Sequence, residues 1–193
     1  MAKEMNPERV AYYEAEGWRA YYDRKYLRLL RLLVSLCHEQ FSMPWPRALL
    51  GSYYATRASV AWIPLNHDEA KVLHYYEKFY RLARRYSGLV FDPARVAGLE
   101  LRYNDDHRRL IGTEDKAPLL QTLVDLHSAL FGISPEEARE SAEWRLRALN
   151  TVDGITGKTS TDVAGDWRKL EAELVRCYSS IALRAGHAQE PRS

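Results

Sequence analysis

Apolar residues recur every three or four positions through most of the chain, which is the spacing that places side chains along one side of an α-helix. Three capping residues stand directly before a proline, at Asn6-Pro7, Asp92-Pro93 and Ser134-Pro135, and such pairs mark helix starts. The pattern predicts seven helices, over about 7–42, 46–62, 67–87, 93–111, 115–131, 135–150 and 161–185. No stretch alternates with the period of two that a strand requires. The predicted fold is therefore an all-α, single-domain bundle with a long N-terminal helix.

The domain is predicted to cover residues 6–186, with flexible tails at 1–5 and 187–193. The first helix would be roughly 50 Å long at 1.5 Å per residue, which exceeds the width of a compact domain of this size. Either it kinks near Gly17, or one end projects and packs on a second copy of the chain. The second possibility predicts a homo-oligomer or a protein partner.

Each predicted helix has a side that we expect to face the core. In the second helix this inward stripe is Leu49, Tyr53, Thr56, Val60 and Ile63. The sixth helix has a weaker stripe, made of Ala138, Ala142, Arg145 and Leu149. The stripe of the first helix contains charged residues in its N-terminal half, and its members are Tyr12, Glu16, Arg19, Asp23, Tyr26, Leu30, Leu33 and Cys37.

Polar residues at inward positions on three helices predict a site inside the bundle. The first helix contributes Glu16 and Asp23. The fourth contributes Glu100, Tyr103 and His107, and the fifth contributes His127. Buried carboxylates and imidazoles are costly unless they pair or bind a metal. All of them except Tyr103 are candidate ligands for a transition metal such as iron or manganese. Alternatively, they form internal ion pairs and hydrogen bonds.

A planar apolar cofactor, such as a haem or another tetrapyrrole, is a second interpretation of the same residues. His107 or His127 would be the axial ligand, with Tyr103 on the same helical face as His107. The chain has no Cys-x-x-Cys-His attachment motif. The di-metal pattern of four-helix bundles is also missing, since the chain has no Glu-x-x-His unit.

Composition constrains the partners and the compartment. The chain has 193 residues and a net charge of +2, so no overall charge excess favours nucleic acid or an anionic membrane. Its N-terminus lacks the apolar core of a signal peptide, and no apolar run is long enough to span a bilayer. Cys37 and Cys177 both lie on apolar helical faces, as expected for buried thiols in a reducing compartment. These features predict a cytoplasmic protein; the 13 tyrosines make it tyrosine-rich.

Nucleic-acid binding is a weaker alternative. The spacing from Arg102 to His107 matches the Arg-x4-His spacing of helical HEPN-type ribonucleases, and Arg31 to His38 matches its wider form. Basic residues interleaved with tyrosines would suit RNA stacking, although ordinary solvated helix faces look the same.

Three hypotheses follow from the sequence. The first is a cofactor- or metal-binding helical protein, such as an oxidoreductase, with its site among the six inward polar residues. The alternative is a non-enzymatic interaction module, either an assembly factor or a subunit of a larger complex. The third is the ribonuclease or RNA-binding module.

Overall fold

A computed structural model of the chain describes residues 5–187. Within that range the protein is an all-α bundle without strands, which confirms the predicted fold class. Its eight helices are α1 (Pro7–Tyr22), α2 (Tyr26–Phe41), α3 (Trp45–Trp62), α4 (Glu69–Ser87), α5 (Pro93–Leu110), α6 (Ala117–Phe131), α7 (Pro135–Thr156) and α8 (Val163–His187). Of the predicted flexible tails, residues 1–4 and 188–193 lie outside the described residues.

The stretch predicted as one helix over 7–42 is divided into α1 and α2 by the connection at residues 23–25. Arg24 has a φ of 58°, in the left-handed region, so the helical path cannot continue through it. The amide of Lys25 donates to the carbonyl of Ala20 at 2.8 Å, which closes the end of α1. The two helices fold back on each other, and the length argument for a projecting helix no longer applies.

Gly17 lies inside α1 and is buried, so the helical path is interrupted at residues 23–25 and not at Gly17. A Cβ at this position would lie 3.9 Å from Cδ1 of Leu29, an ordinary van der Waals distance, so α2 packs directly beside it.

The predicted helix starts are confirmed, because the capping side chains accept the expected backbone hydrogen bonds. The side chain of Asn6 accepts from the amide of Arg9, and that of Asp92 from the amide of Ala94. Ser134 and Glu137 form a complete capping box. Asp68 caps α4 by accepting from the amide of Lys71.

Neighbouring helices in the chain pack on each other, and α1 closes the arrangement against α8. The short connections make these neighbours antiparallel. Large side chains that are almost completely buried fill the centre, among them Val10, Met43, Val72, Leu119, Leu123, Leu170, Leu174 and Ile181. α7 extends to Thr156, beyond the predicted end at 150, and α8 begins at Val163 instead of 161.

α3 has the opposite orientation to the one predicted from its stripe. Its fully buried residues are small, namely Ala48, Gly51, Ser52 and Ala58, whereas the large residues of the predicted stripe are exposed. Leu50, Tyr54 and Trp62 are half-buried. A Cβ on Gly51 would lie 3.0 Å from Sδ of Met43 and 3.6 Å from Cδ2 of Leu82, so the small side packs tightly against its neighbours. The inward stripe Leu49, Tyr53, Thr56, Val60 and Ile63 is therefore wrong, because the space beside α3 admits only small side chains.

This orientation predicts opposite effects of one polar residue on the two sides of α3. Leu49 is 53 % exposed and Ala58 is completely buried. We expect Leu49→Asn to lower the free energy of unfolding by about 0.5 kcal/mol, the helix-propensity difference, and Ala58→Asn to lower it by about 3 kcal/mol or more. Urea denaturation of the two variants measures both values. Equal losses would mean that the Leu49 side is buried.

Candidate interaction face and buried polar networks

The outward side of α3 carries a continuous row of uncovered apolar side chains. Five large residues expose between 50 % and 56 % of their surface, and exposed Thr56 fills the remaining position. Steps of three or four residues keep all six on one side of the helix. We call this surface the α3 outer face, and it consists of Trp45, Leu49, Tyr53, Thr56, Val60 and Ile63.

α2 adjoins this face at its N-terminal end. The ring of His38 stacks on Trp45, with ring centroids 4.3 Å apart and an interplanar angle of 15°. Nδ1 of the same imidazole lies 2.7 Å from the backbone oxygen of Met43, which fixes the ring beside the connection. Arg31 lies seven residues before His38, and Leu27 eleven before it, so all three share one side of α2. Leu27 is 80 % exposed, and the uncovered apolar surface thus extends onto α2.

The exposed charge of α2 and α3 is entirely positive. The two helices contain four exposed arginines, Arg28, Arg31, Arg47 and Arg57. Their one carboxylate, Glu39, is 1 % exposed and lies 3.3 Å from the guanidinium of Arg9. Arg28 is paired with Glu16 of α1, so the positive charge beside the α3 outer face comes from Arg31 and Arg57. Since the whole chain has a net charge of only +2, this charge is a local feature of the surface.

The bundle interior contains an ion pair that the sequence analysis did not identify as a site. Arg145 on α7 and Glu14 on α1 form two parallel contacts, Nη1 to Oε2 at 2.7 Å and Nη2 to Oε1 at 2.6 Å. The two side chains are only 14 % and 10 % exposed. Tyr178 on α8 donates its hydroxyl to the same carboxylate at 2.5 Å, and Arg145 lies 5.1 Å from the ring of Trp18. The bidentate pair joins α1 to α7, and the hydrogen bond from Tyr178 adds α8.

The electrostatics of this pair favour its charged state. Burial is the largest single influence and acts to lower the pKa of the Arg145 guanidinium, but Glu14, Tyr103 and Tyr178 together outweigh it, so the pKa is raised well above its usual value. Burial is also the main cause that raises the pKa of the Tyr178 hydroxyl, with a further contribution from Glu14. The sequence already indicated that Arg145 faces inward, since it belongs to the predicted inward stripe of its helix. The identity of its partner depends on which helices touch.

Tyr103 is buried inside the bundle, as the sequence predicted, and Glu100 is half-buried. The hydroxyl of Tyr80 on α4 donates to Oε2 of Glu100 at 2.9 Å. Burial raises the pKa of the Glu100 carboxyl, and the hydrogen bond from Tyr80 only partly opposes it. Tyr103 is 8 % exposed, and burial raises the pKa of its hydroxyl to about 12.

His107 and His127 have separate partners. Nε2 of His107 lies 3.0 Å from Oδ1 of Asp153 on α7, and the imidazole is stacked parallel to Tyr103 with centroids 6.3 Å apart. Nδ1 of His127 lies 2.8 Å from Oγ of Ser141, whose hydroxyl donates to the carbonyl of Ala138. Because Oγ has used its proton, it accepts the hydrogen bond from Nδ1. Burial lowers the pKa of His127 to about 3, so the imidazole is neutral at pH 7.

Glu16 and Asp23 lie on the α1–α2 hairpin. Glu16 is paired with Arg28 of α2, and its side chain is 15 % exposed. Asp23 is 43 % exposed and lies 2.9 Å from Nζ of Lys25. The Lys25 ammonium is the main cause that lowers the pKa of Asp23. Both carboxylates stabilise the turn between the two helices.

The six predicted residues thus belong to several separate hydrogen-bonded groups. Among residues 5–187, no group of three or more His, Cys, Asp or Glu side chains is placed to hold a metal ion. Metal or haem binding by these residues stays a prediction, and metal analysis of protein purified without a nickel column tests it. The Arg102–His107 pair also separates, since Arg102 lies 3.6 Å from Asp106 while His107 lies beside Asp153.

Two of the surface clefts have charged walls. One, of about 280 Å³, lies between α1 and α8 and is lined by Glu16, Arg19, Trp167, Arg168 and Glu171. Another, of about 370 Å³, lies at the α3–α4 connection and is lined by Arg57, Val60, His67, Asp68 and Lys71. Of the six predicted site residues, only Glu16 lines either cleft.

No model of a protein family, no curated protein and no solved structure matches the chain. Among the helices described, none combines the length and the apolar composition needed to cross a bilayer. Over residues 5–187, the protein is an eight-helix bundle with polar groups paired between helices and a row of uncovered apolar side chains along α3.

The buried imidazole predicts a pH dependence of stability. Burial lowers the pKa of His127 to about 3 from the ordinary 6.5, so the unfolded chain takes up a proton before the folded one. Stability from this group is fully present above pH 6.5 and is lost as the pH falls towards 3. Between pH 7 and 4.5 we expect the free energy of unfolding of the native protein to fall by about 2 to 3 kcal/mol more than that of His127→Asn. This follows from a slope of about 1.4 kcal/mol per pH unit below the pKa of the unfolded chain.

Urea denaturation at the two pH values measures this difference. His74 is exposed, so His74→Asn is the matched control, and its curve should follow that of the native protein. Parallel losses in the native protein and in His127→Asn would contradict the prediction.

Proposed function

We propose that the protein is a non-enzymatic helical interaction module, an assembly factor or a subunit of a larger complex, that binds a partner protein through the α3 outer face. One observation carries the proposal: α3 turns its small residues inward and a row of large apolar residues outward. Contiguous exposed apolar surface of this kind is characteristic of interaction sites. Covering each half-exposed side chain would contribute about 1 kcal/mol.

The state of the interior polar residues supports this choice over a metal or cofactor site. The predicted ligands are already bound to protein groups: Glu100 to Tyr80, His107 to Asp153, His127 to Ser141, Glu16 to Arg28 and Asp23 to Lys25. A metal would have to displace these partners and break interactions between helices. Hydrogen-bonded groups of this type stabilise one particular packing of a bundle.

A cytoplasmic location belongs to the same proposal. Cys37 and Cys177 are both buried free thiols, and burial raises the pKa of each to about 12. Thiols of this kind persist in a reducing compartment and react slowly with oxidants.

Site-specific photo-crosslinking in the native cells tests the proposal. A photoreactive amino acid at Tyr53 should give a defined crosslinked species. The same group at Leu183, which is 66 % exposed on α8, is the matched control and should not give it. The crosslinked protein is then identified, purified and titrated against the full chain.

We expect the purified pair to bind with a dissociation constant of about 10 μM or tighter and with a negative heat-capacity change, the marker of apolar burial. Identical crosslinks from Tyr53 and Leu183, or a captured protein that does not bind when purified, would contradict the proposal.

A further inference from the structure

We propose that the segment that binds the α3 outer face is an acidic amphipathic α-helix of another protein; this inference rests on the function proposed above. Two features of the surface carry it, its shape and its charge.

The shape of the face fits a helix. The row begins at Trp45, the first residue of α3, and ends at Ile63, its C-terminal cap, so it is about 27 Å long and one side chain wide. Trp45, Leu49 and Tyr53 form a ridge at steps of four residues, which packs into the groove between the ridges of a second helix. An amphipathic helix of matching length would place its own apolar positions, spaced three and four residues apart, against this ridge.

The charge around the face selects the flanking residues of that helix. Arg57 is exposed at the edge of this row, and Arg31 is exposed on the side of α2 that carries His38. Glu39 is buried next to Arg9, so α2 and α3 present no exposed carboxylate. Glutamate or aspartate on the edges of the partner helix would meet these arginines at the rim of the interface, where charge controls specificity and association rate.

The same charge disfavours a second copy of this chain. A two-fold interface through the α3 outer face would bring together two surfaces that both carry exposed arginines, because such an interface joins identical patches. Like charges brought together in this way are unfavourable. An anionic membrane or a single-stranded RNA could also contact exposed arginines and aromatic rings, and both are included in the test.

A displayed library of helices tests the proposal directly. Each member has the length of α3, an apolar stripe at steps of three and four, and flanking positions that encode Glu or Lys at random. The full chain is the target, and its Leu49→Ser/Tyr53→Ser variant is the counter-target. Phosphatidylserine vesicles and a uridine-rich single-stranded RNA are titrated in parallel.

We expect the selected helices to carry predominantly Glu, to bind the native chain at least about tenfold more tightly than the same stripes flanked by Lys, and to lose this binding on the counter-target. Selected helices that depend on Leu49 and Tyr53 but show no bias towards Glu would overturn the acidic partner and leave the docking function standing. Helices that bind the counter-target equally well would overturn both. Vesicle or RNA binding tighter than that of the selected helices, and lost in the variant, would replace the helix by a membrane or a nucleic acid.

Discussion

Replacing Arg145 with methionine is expected to lower the free energy of unfolding by about 3 to 5 kcal/mol, the range measured when one member of a buried ion pair is removed. Glu14 is 8 % exposed, and without Arg145 it would keep the hydrogen bond from the Tyr178 hydroxyl. A carboxylate buried in this way must either carry an uncompensated charge or take up a proton, and both cost free energy. Urea denaturation at pH 7 measures the loss.

Two further variants isolate the cause. Arg147→Met changes an exposed arginine of the same helix and should shift stability by about 0.5 kcal/mol or less. Glu14→Gln/Arg145→Met removes both charges, and its amide oxygen can still accept from Tyr178, so it should recover most of the loss. Equal effects of Arg145→Met and Arg147→Met would show that the ion pair does not lie in a buried environment.

The second large effect is expected on binding and not on folding. Leu49→Ser/Tyr53→Ser removes two adjacent side chains from the middle of the α3 outer face, where residues that dominate binding energy are usually found. We expect the affinity for the identified partner to fall about 100-fold or more, which corresponds to about 2.7 kcal/mol. Both side chains are at least half exposed in the free protein, so each substitution should change its stability by about 0.5 kcal/mol. Titration calorimetry and urea denaturation of the same preparation measure the two quantities.

Leu183→Ser is the matched control, because it removes an exposed leucine from a different helix. It should leave the affinity unchanged. If both proteins bind equally well, or if the double variant unfolds, the α3 outer face is not the docking surface.

Part of the polar interior could be predicted from the sequence. Glu100, Tyr103 and His127 were expected inside because they share helical faces with apolar residues; Tyr103 and His127 are buried, and Glu100 is half-buried. Their hydrogen-bond partners could not be predicted, because a hydrogen bond between two helices depends on which helices pack together and on their relative position along the helix axes. The pairing of Arg145 with Glu14 shows the same limit, because 131 positions separate these residues in the chain.

The N-terminal stretch shows a different limit. The residues from 7 to 42 follow one helical period, and the three residues of the turn, Asp23, Arg24 and Lys25, include neither glycine nor proline. A left-handed arginine is energetically unfavourable in isolation. The α1–α2 hairpin that it allows, with Glu16 paired to Arg28 and Leu29 packed close to Gly17, offsets this cost.

The sequence by itself determined the helical class and most helix starts, because capping residues, prolines and the three-to-four spacing act within a few residues of each other. Only the tertiary structure decided which side of α3 faces inward. A helix with small residues on one side and large apolar residues on the other can bury either side, and the narrow space beside Met43 and Leu82 admits the small one. The uncovered row on the other side follows from that choice, and with it the surface that we propose binds a partner.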